Sequence, residues 1–283
     1  MYPAPFEYTA PATIDEALAL LAEHGENAKL LAGGHSLLPL MKLRFAQPTH
    51  VVDLRRIPSL RGIRRESGSL IIGAMTTYNE LATSADIRDA APIVADAASQ
   101  IGDPQVRNRG TIGGSLAHAD PAADLPAVIL ALGATIVAVG RAGRRTIHAD
   151  AFFRELFATA LDPEELLAEI RIPVSTARSG SAYAKHPHPA SRFALVGVAA
   201  TVDLERMSDR IQRVRVAVTG FGTTPLRAIR VEEVLAGRTA DPDTIAVAAM
   251  ELDAGAQGGD AYKVQLARVC ADAALRRAAE RAR

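Results

Sequence analysis

The sequence contains little cysteine and no excess of charge of either sign. Cys270 is its single cysteine, so no intrachain disulfide can form. One cysteine also excludes an iron–sulfur cluster held by this chain alone, because such clusters need about four ligands that are mostly cysteines. Lysine plus arginine and aspartate plus glutamate each total 32, which leaves no net charge. This balance argues against a nucleic-acid-binding surface.

Long hydrophobic runs are also missing. The longest uncharged run, residues 125–140, is shorter than the roughly 20 residues of a membrane-spanning helix and is interrupted by Pro126 and Gly133. It is predicted to be a helix followed by a strand. The first ten residues lack the basic and apolar regions of a secretion signal. We therefore expect a cytoplasmic protein, and its 283 residues favour about two domains.

Residues 30–43, LLAGGHSLLPLMKL, contain the first informative motif. They are predicted to form the end of a strand, a glycine-rich turn at residues 32–36 and a helical segment. Adjacent glycines let the backbone approach a ligand closely, and the amides of such a turn can bind an anion. The turn is neither a Walker A loop nor a Rossmann fingerprint, because GK[ST] and GxGxxG are both absent. An isolated glycine pair is more often a plain tight turn.

Residues 102–123 form the second informative stretch. They show no hydrophobic period and are predicted to be a long loop, and loops of this length are usually functional. Residues 111–115, TIGGS, offer a second glycine-rich turn, and Asp124 is predicted to be the N-cap of a helix that reaches Leu132. Two such turns favour a large phosphate-bearing ligand. Arg107 and Arg109 fit either phosphate pairing or salt bridges that fix the loop.

The periodicity of the remaining sequence predicts a mixture of helices and strands. Helices are predicted after the capping boxes that begin at Thr13 and Thr77, and at residues 87–101, 151–157, 229–235, 241–252 and 262–281. Strands are predicted at residues 6–8, 29–31, 51–54, 166–172, 193–204 and 211–218, with hairpins at 62–74 and 134–147. Residues 175–189, rich in Ser, Pro and Gly, are the predicted domain boundary.

Other chemistry is poorly supported by the sequence. His35, His118, His186 and His188 match no structural zinc spacing, so no metal site is predicted. No G-x-S-x-G elbow is present, which disfavours acyl transfer. Lys185 taken alone is interpreted as a surface lysine. The residues by themselves therefore indicate an α/β protein that grips a dinucleotide.

Two motifs in order, AGGHSLLPLMKLR at 32–44 and IGDPQVRNRGTIGGSLAHADPAADLP at 101–126, resemble the FAD-binding subunit of molybdenum hydroxylases. This is the medium subunit of the carbon monoxide dehydrogenase type, similar to the flavin domain of xanthine dehydrogenase. The resemblance covers essentially the whole chain. It implies an α+β fold: a vanillyl-alcohol-oxidase/PCMH-like FAD-binding domain of two subdomains at residues 1–175, then a small domain at 176–283 with a three-stranded antiparallel sheet and helices.

The resemblance also implies a non-covalent FAD site. Carried over by motif, the first turn would bind the pyrophosphate through backbone amides, and the second would face the phosphates and the flavin. Asp124 would contact FAD, and Lys185 would lie beside the flavin with Tyr183 close by. The implied cofactor-binding residues are Ala32, Gly33, Gly34, His35, Ser36, Thr111, Ile112, Gly113, Gly114, Ser115, Asp124, Tyr183 and Lys185. Ser115 stands where the family often has Asn.

The implied function is electron transfer within a hetero-oligomer. Iron–sulfur clusters would lie on a small partner subunit and the molybdenum cofactor on a large one, and FAD would pass electrons to an external acceptor. No catalytic acid, base or metal ligand is implied for this chain. A free-standing FAD-dependent oxidoreductase of the same superfamily and an FAD-free scaffold subunit stay open as alternatives. Gly33, Gly34, Gly113 and Gly114 disfavour the scaffold, since without a ligand we expect no reason for them.

Overall fold

The strands form three main sheets, as seen in a computed structural model that describes residues 2–174, 178–253 and 260–283. In chain order the described strands are β1 Glu7–Thr9, β2 Ala28–Leu31, β3 His50–Asp53, β4 Ile63–Glu66, β5 Ser69–Gly73, β6 Thr135–Gly140, β7 Gly143–His148, β8 Phe153–Glu155, β9 Ala158–Thr159, β10 Leu166–Pro173, β11 Ser179–Pro187, β12 Ala194–Leu204, β13 Ile211–Thr219 and β14 Leu226–Arg227.

The helices surround these sheets. In chain order the described helices are α1 Ile14–His24, α2 Leu37–Lys42, α3 Tyr78–Thr83, α4 Ala85–Ala90, α5 Pro92–Ser99, α6 Pro104–Arg107, α7 Ile112–His118, α8 Asp124–Ala131, α9 Ile229–Leu235, α10 Pro242–Met250 and α11 Ala261–Ala282. Within the ranges that the structure describes, none of these helices is long and apolar enough to cross a bilayer.

The N-terminal subdomain comprises β1 to β3 with α1 and α2. Its parallel sheet has the order β1-β3-β2. The predicted N-cap of α1 is confirmed: the Thr13 hydroxyl accepts from the Glu16 amide, and Gly25 ends the helix at a φ of 52°. The other half of the predicted capping box differs, because the Glu16 carboxylate accepts from the Ala12 amide (2.8 Å). The apolar face of α1, with Ala17, Leu18 and Leu21, is buried in the small core of this subdomain.

The middle subdomain is built on an antiparallel sheet of order β4-β5-β10-β6-β7, packed by helices α3 to α8. Both predicted hairpins and the strand at 166–172 are confirmed. The prediction of a single helix at residues 87–101 is wrong. The segment is two helices, α4 and α5, because Pro92 has no amide hydrogen to continue the first and instead begins the second. The Thr77 capping box before α3 is present as predicted.

Two further predictions for this subdomain are corrected. Residues 102–123 are not structureless, since they contain the short helices α6 and α7, whose N-caps are Asp103 and Thr111. The helix predicted at 151–157 is absent, and the segment forms a 3-10 turn followed by β8. The two adjacent phenylalanines of this segment have different surroundings. Phe152 is fully buried in the core, while Phe153 lies in β8 and pairs with Thr159 of β9.

The C-terminal domain comprises β11 to β14 and α9 to α11. Three long antiparallel strands, β11 to β13, form the expected sheet, and the two-residue β14 adds a short fourth edge. Helix α11 packs along β11 and β12. The predicted boundary at 175/176 lies outside the described residues. However, much of the stretch interpreted as a linker, Ser179–Pro187, is strand β11.

Candidate functional site

A cavity of about 600 Å³ lies between the N-terminal and middle subdomains. Residues 32–37 of the first glycine segment line it, together with Gly110, Thr111 and residues 113–115 of the second. The loop that carries Ser191, Arg192 and Phe193 of the C-terminal domain also contributes to the lining. All three parts of the fold therefore meet at this cavity, whose volume suits a sizeable organic ligand.

Most of the cofactor-binding residues predicted from the sequence line this cavity. They are Ala32, Gly33, Gly34, His35, Ser36, Thr111, Gly113, Gly114, Ser115 and Asp124. The other three lie behind the wall. Ile112 is fully buried in the core of the middle subdomain, whereas Tyr183 and Lys185 contact the carboxylate of Asp124.

The first glycine segment presents unused hydrogen-bond donors. Within the described residues, the backbone amides of Gly33, Gly34, His35 and Ser36 donate to no protein acceptor. They lie between the end of β2 and the start of α2, where the Ser36 side chain forms no capping bond. Four successive free amides at a cavity wall form a nest that suits an anion such as a pyrophosphate.

The second glycine segment is different because the amides of residues 112–115 are already bonded. It is not a turn but the N-cap and first turn of α7. The Ile112 and Gly113 amides donate to the carbonyl oxygens of Thr76 (3.0 Å) and Ala74 (2.9 Å), and the Gly114 amide donates to the Thr111 hydroxyl (3.1 Å). This segment therefore offers the cavity close backbone approach and the Ser115 side chain rather than these amides.

Two of the glycines are required by the packing of the chain itself. A Cβ on Gly33 would lie 2.3 Å from the carbonyl oxygen of Arg109, where the two glycine segments touch. A Cβ on Gly113 would lie 2.5 Å from Cβ of Ala74, at the end of β5. Our expectation that these glycines have no role without a ligand is therefore wrong. They do not by themselves exclude a scaffold subunit.

Asp124 is the buried carboxylate of the cavity wall. It is the first residue of α8 rather than the predicted N-cap, and its carboxylate accepts from the Tyr183 hydroxyl (2.6 Å) and the Lys185 ammonium (2.9 Å). Burial raises the pKa of Asp124, while the Lys185 charge opposes that rise. Burial also raises the pKa of Tyr183 well above its usual value. The Lys185 side chain is 1% exposed, so its interpretation as a surface lysine is wrong.

The sequence prediction missed Tyr78, which also lines the cavity. An isolated bridge pairs Thr77 with Thr111 and so brings Tyr78 to the second glycine segment. Burial raises the pKa of Tyr78 to about 12, although a hydrogen bond with the Ser115 hydroxyl lowers it, so the phenol is neutral at physiological pH. The sequence showed Tyr78 only as part of a capping motif, and nothing local indicated this position.

An aromatic pair forms another part of the lining. The rings of His118 and Phe157 lie 5.1 Å apart, centroid to centroid, and both residues face the cavity. Burial lowers the pKa of His118, and the charge of Asp120 acts in the opposite direction. The His118 ring therefore favours its neutral form inside the cavity.

Two further possibilities from the sequence, phosphate pairing by Arg107 and a metal site, can be compared with the structure. Arg107 donates to the carbonyl oxygens of Ile101 (3.0 Å) and Gly102 (3.2 Å), so it fixes the loop through hydrogen bonds rather than salt bridges. In the part of the chain that the structure describes, no three His, Cys, Asp or Glu side chains are grouped to hold a metal ion.

Comparisons with known proteins cover the whole molecule. The family model described as the FAD binding domain in molybdopterin dehydrogenase matches residues 4–175, and that of the CO dehydrogenase flavoprotein C-terminal domain matches residues 181–278. The carbon monoxide dehydrogenase medium chain of Hydrogenophaga pseudoflava is 45% identical over 249 residues, which are 88% of this chain and 86% of that protein.

Two further similarities agree with these matches. The 6-hydroxypseudooxynicotine dehydrogenase complex subunit alpha of Paenarthrobacter nicotinovorans is 37% identical over 100% of this chain and 97% of its own length. A solved structure of carbon monoxide dehydrogenase from Hydrogenophaga pseudoflava, lacking the Mo-pyranopterin moiety of its cofactor, has a TM-score of 0.92 at 43% identity. That match covers 99% of both chains.

Proposed function

This chain belongs to the family of FAD-binding medium subunits of molybdenum hydroxylases, and from that premise we propose that it transfers electrons through a non-covalently bound FAD. The electrons would come from an iron–sulfur cluster on a small partner subunit and leave to an external acceptor. The substrate would be oxidised on a large partner subunit that carries the molybdenum cofactor.

One observation carries the proposal. Gly33, Gly34, His35 and Ser36, whose amides donate to no described protein acceptor, line a cavity of about 600 Å³ that also has an apolar part. Free amides fit the pyrophosphate of a dinucleotide, since they neutralise its charge without a side chain. Apolar residues further along the lining, such as Leu54 and Leu167, fit the ring systems of the same ligand.

The residues of this chain would bind and orient rather than perform acid–base chemistry. FAD supplies the redox chemistry when bound, because it can exchange electrons singly or in pairs. Asp124 is held by Lys185 and Tyr183, and the Tyr78 phenol keeps its proton with a pKa of about 12. These groups would set the polarity around the cofactor without supplying a proton.

The comparisons favour this function over a free-standing enzyme. The relatives are named as parts of larger assemblies: one is a medium chain, and another, matched over 97% of its length, is a subunit of a dehydrogenase complex. The names of these relatives differ in substrate, between carbon monoxide and 6-hydroxypseudooxynicotine. Substrate choice would thus belong to the partner subunit. A cytoplasmic location, expected from the sequence, is part of this proposal.

The test is a visible absorption spectrum of the purified chain before and after denaturation. We expect flavin bands at about 370 and 450 nm, with FAD released into the supernatant on unfolding because it is held non-covalently. A colourless chain that also failed to take up added FAD would refute the proposal and support the scaffold alternative. Co-purification with an iron–sulfur subunit, followed by flavin reduction after substrate is added, would test the direction of electron flow.

A further inference from the structure

A strand of the C-terminal domain reaches the wall of the cavity through two side chains. Tyr183 and Lys185 are two residues apart on β11 and therefore point to the same face of the sheet. Both donate to Asp124, one to each carboxylate oxygen. Asp124 itself lines the cavity and begins α8 of the middle subdomain. One carboxylate thus connects the C-terminal domain to the candidate FAD site.

The Lys185 ammonium forms its described hydrogen bonds within this connection. Its side chain is 1% exposed, and besides Asp124 it contacts only the carbonyl oxygen of Gln100, at 3.4 Å, among the described residues. Gln100 follows the last residue of α5, on the middle subdomain. The ammonium therefore lies behind Asp124 as seen from the cavity, where it offsets the charge of that carboxylate.

We propose that Lys185 and Tyr183 are positioning residues that hold Asp124 ionised in the cavity wall, so that the C-terminal domain sets the affinity for FAD through this carboxylate. The inference rests on the proposed FAD site. Its physical basis is that a buried carboxylate without a counter-charge is strongly unfavourable, and more so beside a ligand with two phosphate charges.

The groups that face Asp124 come from two elements. Lys185 and Tyr183 belong to β11, and Tyr78 at the start of α3 feels its charge. Lys185 is the cation among these three. Its removal leaves Asp124 to take up a proton or to stay charged without a partner, depending on pH.

The experiment is a double-mutant cycle on FAD binding, measured by quenching of flavin fluorescence with the full chain freed of FAD. We expect Lys185→Met to bind FAD about tenfold more weakly than the unmodified chain at pH 8. Affinity should recover towards pH 6, because protonation of Asp124 removes the unpaired charge. Asp124→Asn/Lys185→Met should bind as Asp124→Asn does, with no such pH dependence.

Two controls separate positioning from a general structural effect. Lys185→Arg keeps the charge and should restore binding to within about threefold. Arg213→Met breaks an ion pair to Asp203 (2.6 Å) in the same sheet but far from the cavity lining, and should leave FAD affinity unchanged.

The possible outcomes are distinct. If the double variant bound FAD about tenfold more weakly than Asp124→Asn, Lys185 would act on FAD directly and the inference would be overturned. Unchanged binding by Lys185→Met would overturn it as well. Should Lys185→Met fail to fold, the comparison of the double variant with Asp124→Asn still decides. An unmodified chain that bound no FAD would overturn both this inference and the proposed function.

Discussion

Gly33→Ala should disrupt the contact between the two glycine segments. The added methyl carbon would lie 2.3 Å from the carbonyl oxygen of Arg109 and 2.7 Å from Cα of Gly110. Both are backbone atoms, so no rotamer change can relieve the clash. An ordinary contact is about 3.5 Å, and the two segments must therefore separate by about 1 Å. The φ of Gly33 lies outside the left-handed region, so the effect is steric alone.

The magnitude follows from the cost of overpacking. Inserting a methyl group into a closely packed site typically costs about 1–3 kcal/mol, and rigid backbone neighbours place this site at about 2–3 kcal/mol. Gly68→Ala is the matched control. Gly68 has a φ of +75°, but a Cβ there meets nothing within 4 Å. Backbone strain alone should then cost about 1 kcal/mol.

The assay is urea unfolding followed by circular dichroism, with and without added FAD. In the unmodified chain, FAD at 100 times its dissociation constant should add about 2.7 kcal/mol of stability. Gly33→Ala should lose both intrinsic stability and most of this increment, because separation of the two segments would displace the free amides of the first one. Gly68→Ala should keep the increment in full. The reasoning is refuted if Gly33→Ala is no more destabilising than Gly68→Ala and keeps the FAD increment.

Three further predictions concern charge and the second glycine segment. Glu169→Gln should cost about 2 kcal/mol at pH 7, because Arg64, Arg144 and Arg171 converge on this buried carboxylate. Burial raises the pKa of Glu169 but the arginines lower it below its usual value, so the difference in unfolding free energy between variant and unmodified chain should shrink below about pH 4. His118→Gln should make unfolding less sensitive to acid below about pH 6.5, the usual pKa of a histidine in the unfolded chain. Burial lowers the pKa of His118 in the folded chain, so the unfolded state binds the proton more readily. The free energy of unfolding therefore decreases as the pH is lowered. Gly114→Val should abolish FAD retention in a folded chain, since its Cβ would lie 2.9 Å from the Thr111 hydroxyl and 3.4 Å from Cβ of Ala32. Full FAD occupancy in that variant, by absorbance, would contradict the placement of this segment.

The sequence predicted best those elements whose signals are local. The hairpins at 62–74 and 134–147 combine apolar alternation with a turn, and the capping residue Thr13 lies directly before the helix that it begins. The errors arose where local signals were outweighed or overlooked. Pro92 was included in a helical period although it begins a new helix. In the stretch predicted as a loop, Asp103 followed by Pro104 is the N-cap and first residue of a helix, a pattern that is visible in the sequence.

The candidate site was only partly predictable for a physical reason. The motif resemblance identified both glycine segments that line the cavity. Glycine is a strong signal there because close packing of the chain and close approach of a ligand both require a residue without a side chain. The partners of Asp124 lie 59 and 61 residues away, on another domain. Tyr78 reaches the cavity through a bridge from Thr77 to Thr111. No period or cap encodes such contacts, since they depend on how the subdomains pack.

The two glycine segments are similar in composition but differ in whether their backbone amides are free, and local composition does not determine this difference. Both contain a glycine pair with a serine one or two residues after it, at Ser115 or Ser36, and both adjoin a helix start. Only the second lies against the residues that follow β5, where the carbonyl oxygens of Ala74 and Thr76 accept the amides of Gly113 and Ile112. The run of free amides that suits an anion therefore lies in the first segment. The second segment would contact its ligand mainly through shape and through polar side chains such as Ser115, so a change of side chain there can occur without loss of the anion site.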